Sequence, residues 1–173
     1  MSIKYLQVYI FIFLYIADLF KTGNVNFIFF ELDSIPKSLN WCGPDRSKVF
    51  VITENNSLYK SEDKGFSWKK LNDILINKAK DTLEQSDNEI GKVSEMIQSP
   101  VDNSLLIFLG THGINWFTED CGKKISALNN GRKIHEFVFH PTEKNWILAS
   151  AYSICEDFKN EPCKKFKELY YTK

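Results

Sequence analysis

Short apolar runs bounded by polar turn residues recur along most of this chain, a pattern of strands rather than of long helices. Residues 26–32 form a Phe/Ile-rich run that Asp33-Ser34-Ile35-Pro36 should stop. Runs at 48–53, 58–60 and 68–71 follow, separated by an Asn55-Asn56 turn and by a polar segment that begins at Ser61. The cycle repeats with 93–98, closed by Ser99-Pro100, then 105–109 and 115–118. Another unit supplies 136–140, closed by His140-Pro141, then 146–150 and 167–172. The exception is 72–88, where Ile74, Leu75, Ala79 and Leu83 stand at partly helical spacing and predict a short helix or an ordered insertion.

The polar segments share a signature. Ser61-Glu62-Asp63-Lys64-Gly65-Phe66-Ser67-Trp68 is matched by Thr118-Glu119-Asp120-Cys121-Gly122-Lys123-Lys124-Ile125, and Thr172-Lys173 begins another copy where an Asp is due. A recurrence every fifty to sixty residues or roughly so is the spacing of large four-stranded propeller blades. The residue types have a physical reason. A strand ends at Ser61 or Thr118, and the carboxylate of Asp63 or Asp120 is placed to accept backbone N–H groups of the turn. Gly65 and Gly122 supply a positive φ without a Cβ penalty, and Trp68 and Ile125 start the return strand and point into a core. These eight residues are therefore assigned to holding turns. A carboxylate already occupied by backbone donors is a poor base, so Asp63 and Asp120 are not candidates for catalysis.

The expected fold is all-β: a partial β-propeller of about two to three four-stranded blades. Closure of a ring takes at least about four blades. An open stack leaves an apolar sheet face bare. The working protein is therefore expected to be longer than this chain, or the chain to pair with itself.

Composition supports a packed core, with 43% hydrophobic and 14% aromatic residues. Lys plus Arg and Asp plus Glu number 22 each, so no net field recruits nucleic acid. Lys4 followed by an apolar run from Val8 to Ala17 is too short for a bilayer, which needs about 20 residues, but suits a secretory signal. Residues 1–22 are read as that signal and 23–173 as the blades. The cysteines Cys42, Cys121, Cys155 and Cys163 suit an exported chain. Four cysteines permit three complete pairings. The closeness of Cys155 and Cys163 favours that pair and leaves Cys42 and Cys121 free or bonded to residues beyond this chain. Asn55-Asn56-Ser57 is an acceptor sequon in a polar turn, where a glycan can sit on Asn55.

No catalytic constellation emerges. There is no nucleophile elbow, no phosphate-cradling Gly loop and no His pair at ligand spacing, and His112, His135 and His140 are scattered. The cysteines offer no second close pair for zinc. Glu119-Asp120 and Glu156-Asp157 are neighbours, whose side chains point to opposite faces of a strand. A sialidase-like site needs an arginine cluster for a carboxylate, whereas this chain has only Arg46 and Arg132. Trp41, Trp68, Trp116 and Trp146 are expected to pack between blades. No cofactor, metal or catalytic residue is assigned, and the chain is read as not an enzyme.

The stretch 58–68, the turn 117–122, Phe139-His140-Pro141-Thr142-Glu143-Lys144-Asn145-Trp146-Ile147-Leu148-Ala149, and then Cys155, Cys163 and 169–173 resemble the amino-terminal part of the luminal domain of sortilin-type sorting receptors. That resemblance implies a larger, ten-bladed propeller followed by cysteine-rich modules, one transmembrane helix absent from this chain, and a cytosolic tail. It further implies binding of soluble protein or peptide cargo and its transport from the Golgi toward endosomal or lysosome-like compartments. No cargo-contacting residue transfers by motif. The alternatives are a truncated secreted Asp-box glycosidase and a gene fragment without activity of its own.

Overall fold

The computed structural model describes residues 29–80, 88–128, 134–152 and 167–171. The signal expected over 1–22 and the cysteines Cys155 and Cys163 lie outside them. Strands β1 (Pro36–Cys42), β2 (Lys48–Thr53), β3 (Leu58–Ser61) and β4 (Lys69–Lys70) form one sheet, in that spatial order. Strands β5 (Val93–Gln98), β6 (Leu106–Gly110), β7 (Asn115–Thr118) and β8 (Ser126–Leu128) form the next in the same way. Strands β9 (Ile134–Phe139), β10 (Ile147–Tyr152) and β11 (Lys167–Tyr171) make a three-stranded sheet. Every pairing is antiparallel between consecutive strands, so each sheet is a meander of the kind that forms a propeller blade.

Alternation along β6 decides how the blades stack. Leu106 and Phe108 face the first blade and share a core with Phe50, Ile52, Leu58 and Trp116. Leu105, Ile107 and Leu109 face the third and meet Phe137, Phe139 and Ala149. A strand covered on both sides needs apolar residues throughout, which is why 105–109 reads as an unbroken run. Phe50 and Phe108 interlock across the first interface with ring centroids 5.4 Å apart.

Helix α1 (Asn72–Lys80) occupies the crossover between the first two blades, where the sequence predicts a helix or an insertion. Leu75 and Ala79 enter the core, and Trp116 Nε1 donates to the Leu75 carbonyl at 3.1 Å. Asn72 ties the helix start to both neighbours: its Oδ1 accepts from Leu58 N and its Nδ2 donates to Gly91 O.

Three expectations are corrected. Residues 29–32 of the Phe/Ile-rich run carry no strand, and the first strand among the described residues begins at Pro36, beyond the expected stop. Proline is tolerated there because it is the first residue of an edge strand, with no ladder bond to lose. The residues before it are instead pinned as a strap by Asp33, described below. Of the four tryptophans only Trp116 is packed fully between blades; Trp41 and Trp146 are each 46% exposed, and Trp68 is half-buried. Cys42 and Cys121 are bonded to each other, with Cα atoms 5.8 Å apart across 79 residues. Stacking brings the end of β1 against a turn of the next blade, a proximity that sequence distance conceals.

Replacing Cys121 by Ser is expected to cost about 2–5 kcal/mol, read as a lower urea midpoint under non-reducing conditions. Phe108→Ala should cost about 3–5 kcal/mol, because it empties the centre of the first interface. An unchanged midpoint for either would show that the blades do not depend on that contact.

Candidate functional site

The eight signature residues fall in two matching turns. In the first, Asp63 Oδ1 accepts from Ser67 N at 2.8 Å and from the Ser61 hydroxyl at 2.8 Å, while Oδ2 accepts from the Ser67 hydroxyl at 2.7 Å. The Ser61 oxygen in turn accepts from Gly65 N at 2.8 Å. In the second, Asp120 Oδ1 accepts from Lys124 N at 2.9 Å and the Thr118 hydroxyl at 3.0 Å, and Thr118 Oγ1 accepts from Gly122 N at 2.7 Å. The hydroxyl residue is thus a relay that both orients the carboxylate and closes the turn. Ile125 is buried in the core, whereas Trp68 folds back over its own turn, its Nε1 donating to Gly65 O at 3.0 Å.

The Ser67 hydroxyl and amide, then the Ser61 hydroxyl, hold the Asp63 carboxyl at about 2. For Asp120, burial pushes upward but the Lys124 amide and the Thr118 hydroxyl outweigh it, and the net direction is down. Both groups stay ionised and occupied at neutral pH, a poor state for a general acid or base.

Each turn holds two successive residues in the left-handed region: Lys64 (φ 60) with Gly65 (φ 97), and Cys121 (φ 55) with Gly122 (φ 72). The sequence points to the glycine but not to the residue before it. Its conformation aims an N–H at the first-strand corner at the same end of the blade, Lys64 N to Ser47 O at 2.8 Å and Cys121 N to Ser104 O at 3.1 Å. Those serines belong to a second repeated device, the corner after the first strand. Asp45 Oδ1 accepts from Ser47 N and Asp102 Oδ1 from Ser104 N, so Asp-x-Ser closes both corners.

The corners and turns are joined from blade to blade. Asn103 Nδ2 donates to Gly43 O at 2.9 Å, and Lys144 pairs with Asp102 at 2.7 Å. The buried Lys60 reaches Glu62 at 2.6 Å and Gly122 O at 3.2 Å, and the Cys42–Cys121 bridge crosses the same region. The first-strand edges are also held together, by Lys37 Nζ to Ser94 O at 3.0 Å and Gln98 Nε2 to Trp41 O at 2.8 Å. On β1, Leu39 and Trp41 stand about half exposed beside these bonds, and Glu95 is exposed on β5.

Asp33 is a carboxylate that the sequence reading passed over. It accepts from Thr53 Oγ1 at 2.8 Å, from the Ser57 hydroxyl and from Lys70 Nζ at 2.7 Å, pinning the strap to the β2–β3 turn and to β4. Burial pushes its carboxyl up, but Lys70, Ser57 and Thr53 prevail and bring it to about 2. The sequon residue Asn55 is exposed in that turn, with Nδ2 donating to Asp33 O at 3.2 Å.

Among the described residues no group of three or more His, Cys, Asp or Glu side chains is placed to hold a metal ion. A cavity of ≈ 330 Å³ beside the β6–β7 turn is lined by Ser94, Thr111, His112, Asn115 and Ile134 among others. Its polar side chains are committed locally: Asn115 Nδ2 donates to Ile134 O, Ser94 Oγ to Leu109 O, and His112 Nδ1 meets Thr111 Oγ1.

Residues 56–173 match the family model Sortilin-Vps10, described as sortilin, neurotensin receptor 3. No curated protein matches the chain. Among solved structures it is similar to YCF48 from Cyanidioschyzon merolae, at 13% identity and a TM-score of 0.43, with 83% of this chain and 48% of that one covered. The chain thus spans about half the length of that protein. Among the described residues no helix is long and apolar enough to cross a membrane.

The Asp33 network makes an acid-range prediction. Its carboxyl is lowered from 3.8 to about 2 on folding, so the unfolded chain takes up the proton first. The stabilisation is complete above 3.8 and is lost as pH falls through about 2. Urea midpoints of the parent and Asp33→Asn should differ at neutral pH and converge in that window. A pH-independent difference would mean that the ionised carboxylate is not what holds the strap.

Proposed function

We propose, from the premise that this chain belongs to the Sortilin-Vps10 family, that it is the cargo-binding luminal segment of a sorting receptor carrying soluble proteins from the Golgi to endosomal or lysosome-like compartments. The observation that carries this reading is the family match over 56–173, a span that contains both acid-clamped turns and most of the blades. The family is one of receptors rather than of enzymes, and the clamped carboxylates fit a scaffold that holds a ligand without transforming it.

The remaining parts of the reading are proposals of the same kind. The blades at 23–173 belong to a larger ring of ten, with the transmembrane and cytosolic parts elsewhere in the full-length receptor. Residues 1–22 direct the chain into the secretory pathway, Cys155 pairs with Cys163, and Asn55 carries a glycan. The exposed position of Asn55 supports the last point. Compartment also bears on the Cys42–Cys121 bridge, since such bonds persist where the environment is oxidising.

The test is binding against turnover. Immobilised chain is titrated with a panel of labelled soluble secretory proteins and their peptides, and the same preparation is incubated with sialosides and other glycosides. Saturable binding of panel members with no glycoside hydrolysis is the expected outcome. Hydrolysis would replace the receptor reading with that of a secreted Asp-box glycosidase, and absence of both would leave a scaffold without activity of its own.

A further inference from the structure

We propose that the β9–β10 corner is an acid-sensitive joint, because its closing acceptor is the Nδ1 atom of His140. Thr142 N and Glu143 N both donate to that nitrogen, at 3.3 and 3.0 Å, and the Thr142 hydroxyl lies 3.4 Å from it. The ring is held edge-on to Trp146, with centroids 5.3 Å apart. Further backbone bonds complete the corner, His140 N to Trp146 O at 2.8 Å and Trp146 N to Glu143 O at 3.3 Å.

The preceding blade builds the same corner with a group that does not titrate. Ser99 Oγ accepts from Val101 N and Asp102 N, both at 3.3 Å, and Ser99 N donates to Leu105 O as His140 N does to Trp146 O. Ser99-Pro100 and His140-Pro141 are therefore equivalent in position and in task, and differ in one chemical property. An imidazole nitrogen accepts hydrogen bonds only while it is unprotonated. Histidine is also the side chain whose charge changes between about pH 5 and 8. When a solvent proton occupies the Nδ1 lone pair, two backbone donors face a third donor and the corner opens.

The corner is tied to the neighbouring blade through Lys144, on the same turn, which is paired with Asp102 at 2.7 Å. The charged groups around the corner are Glu143 and Lys144 on the turn itself, and Asp102 and Glu119 of the second blade, both of which act on Lys144. Lys144 first, and then the Ser104 amide, hold the Asp102 carboxyl below its ordinary value, so this pair keeps both charges as the pH falls from about 7.5 to about 5. The joint thus has one moving part. Loss of its closure opens the third blade's corner while the ion pair that ties its turn to the second blade persists.

The experiment is hydrogen exchange by NMR on the whole chain at about pH 7.5 and about pH 5, with protection factors corrected for intrinsic rates. The Thr142 and Glu143 amides are expected to lose protection by roughly tenfold on acidification, while Val101 and Asp102, at the serine corner, keep theirs. In His140→Ser, which copies the serine corner, the loss should disappear. No loss at the histidine corner, an equal loss at both corners, or the same loss in the variant would each overturn the proposal. Should the variant not fold, the ring tautomer of the parent decides: a bare Nδ1 with a proton on Nε2 near neutral pH is required, and an Nδ1–H tautomer would refute it.

Discussion

An aspartate that accepts backbone amides in a tight turn performs two tasks in this chain, and the order of the blades depends on both. It satisfies donors that a sharp reversal would otherwise leave without partners. It also fixes the two left-handed residues of the turn, whose first N–H then reaches the first-strand corner beside it at the same end of the blade. Asp63 and Asp120 act in this way on the outer hairpins, and Asp45 and Asp102 act similarly on the first corners. A turn held only by its own backbone would leave the distance between corner and hairpin free to vary. The clamps remove that freedom, so the ends of successive sheets present matched surfaces.

Stacking then follows from alternation. The residues of β6 divide strictly between two cores, one shared with the first blade and one with the third. The third blade repeats the arrangement on its inner face with Phe137, Phe139 and Ala149 and turns Val138 and Leu148 outward, each about half exposed. The helix in the first crossover adds Leu75 and Ala79 to the interface and gives the buried Trp116 indole its acceptor. The disulfide joins a first corner to the hairpin turn of the next blade.

This construction suits a protein that holds a partner. Rigid corners, cross-linked from blade to blade by Asn103, Lys144, Lys60 and the Cys42–Cys121 bond, keep the first-strand edges at a fixed separation. Acidic groups are spent on backbone amides and lysines, which lowers their proton affinity and takes them out of acid–base chemistry. Membership of the Sortilin-Vps10 family agrees with a receptor built on such a scaffold.

Period-2 alternation, turn chemistry and the repeated signature are local, so the sequence alone determined the β class and the positions of the apolar strands, but not of β1 or β8. They also determined the residues of both acid-clamped turns, since spacing within eight residues suffices for Asp63 to find Ser67 or Asp120 to find Lys124. Tertiary structure decided whatever joined distant segments. The Cys42–Cys121 bond spans 79 residues, and Asp33 finds its partners only after β2, β3 and β4 have assembled. The same holds for Trp68, whose spacing marks the return strand but whose ring covers its own turn because Gly65 O lies within reach. A motif specifies a bend through neighbours along the chain, whereas contacts between blades depend on how the bends are stacked, and no local pattern encodes that.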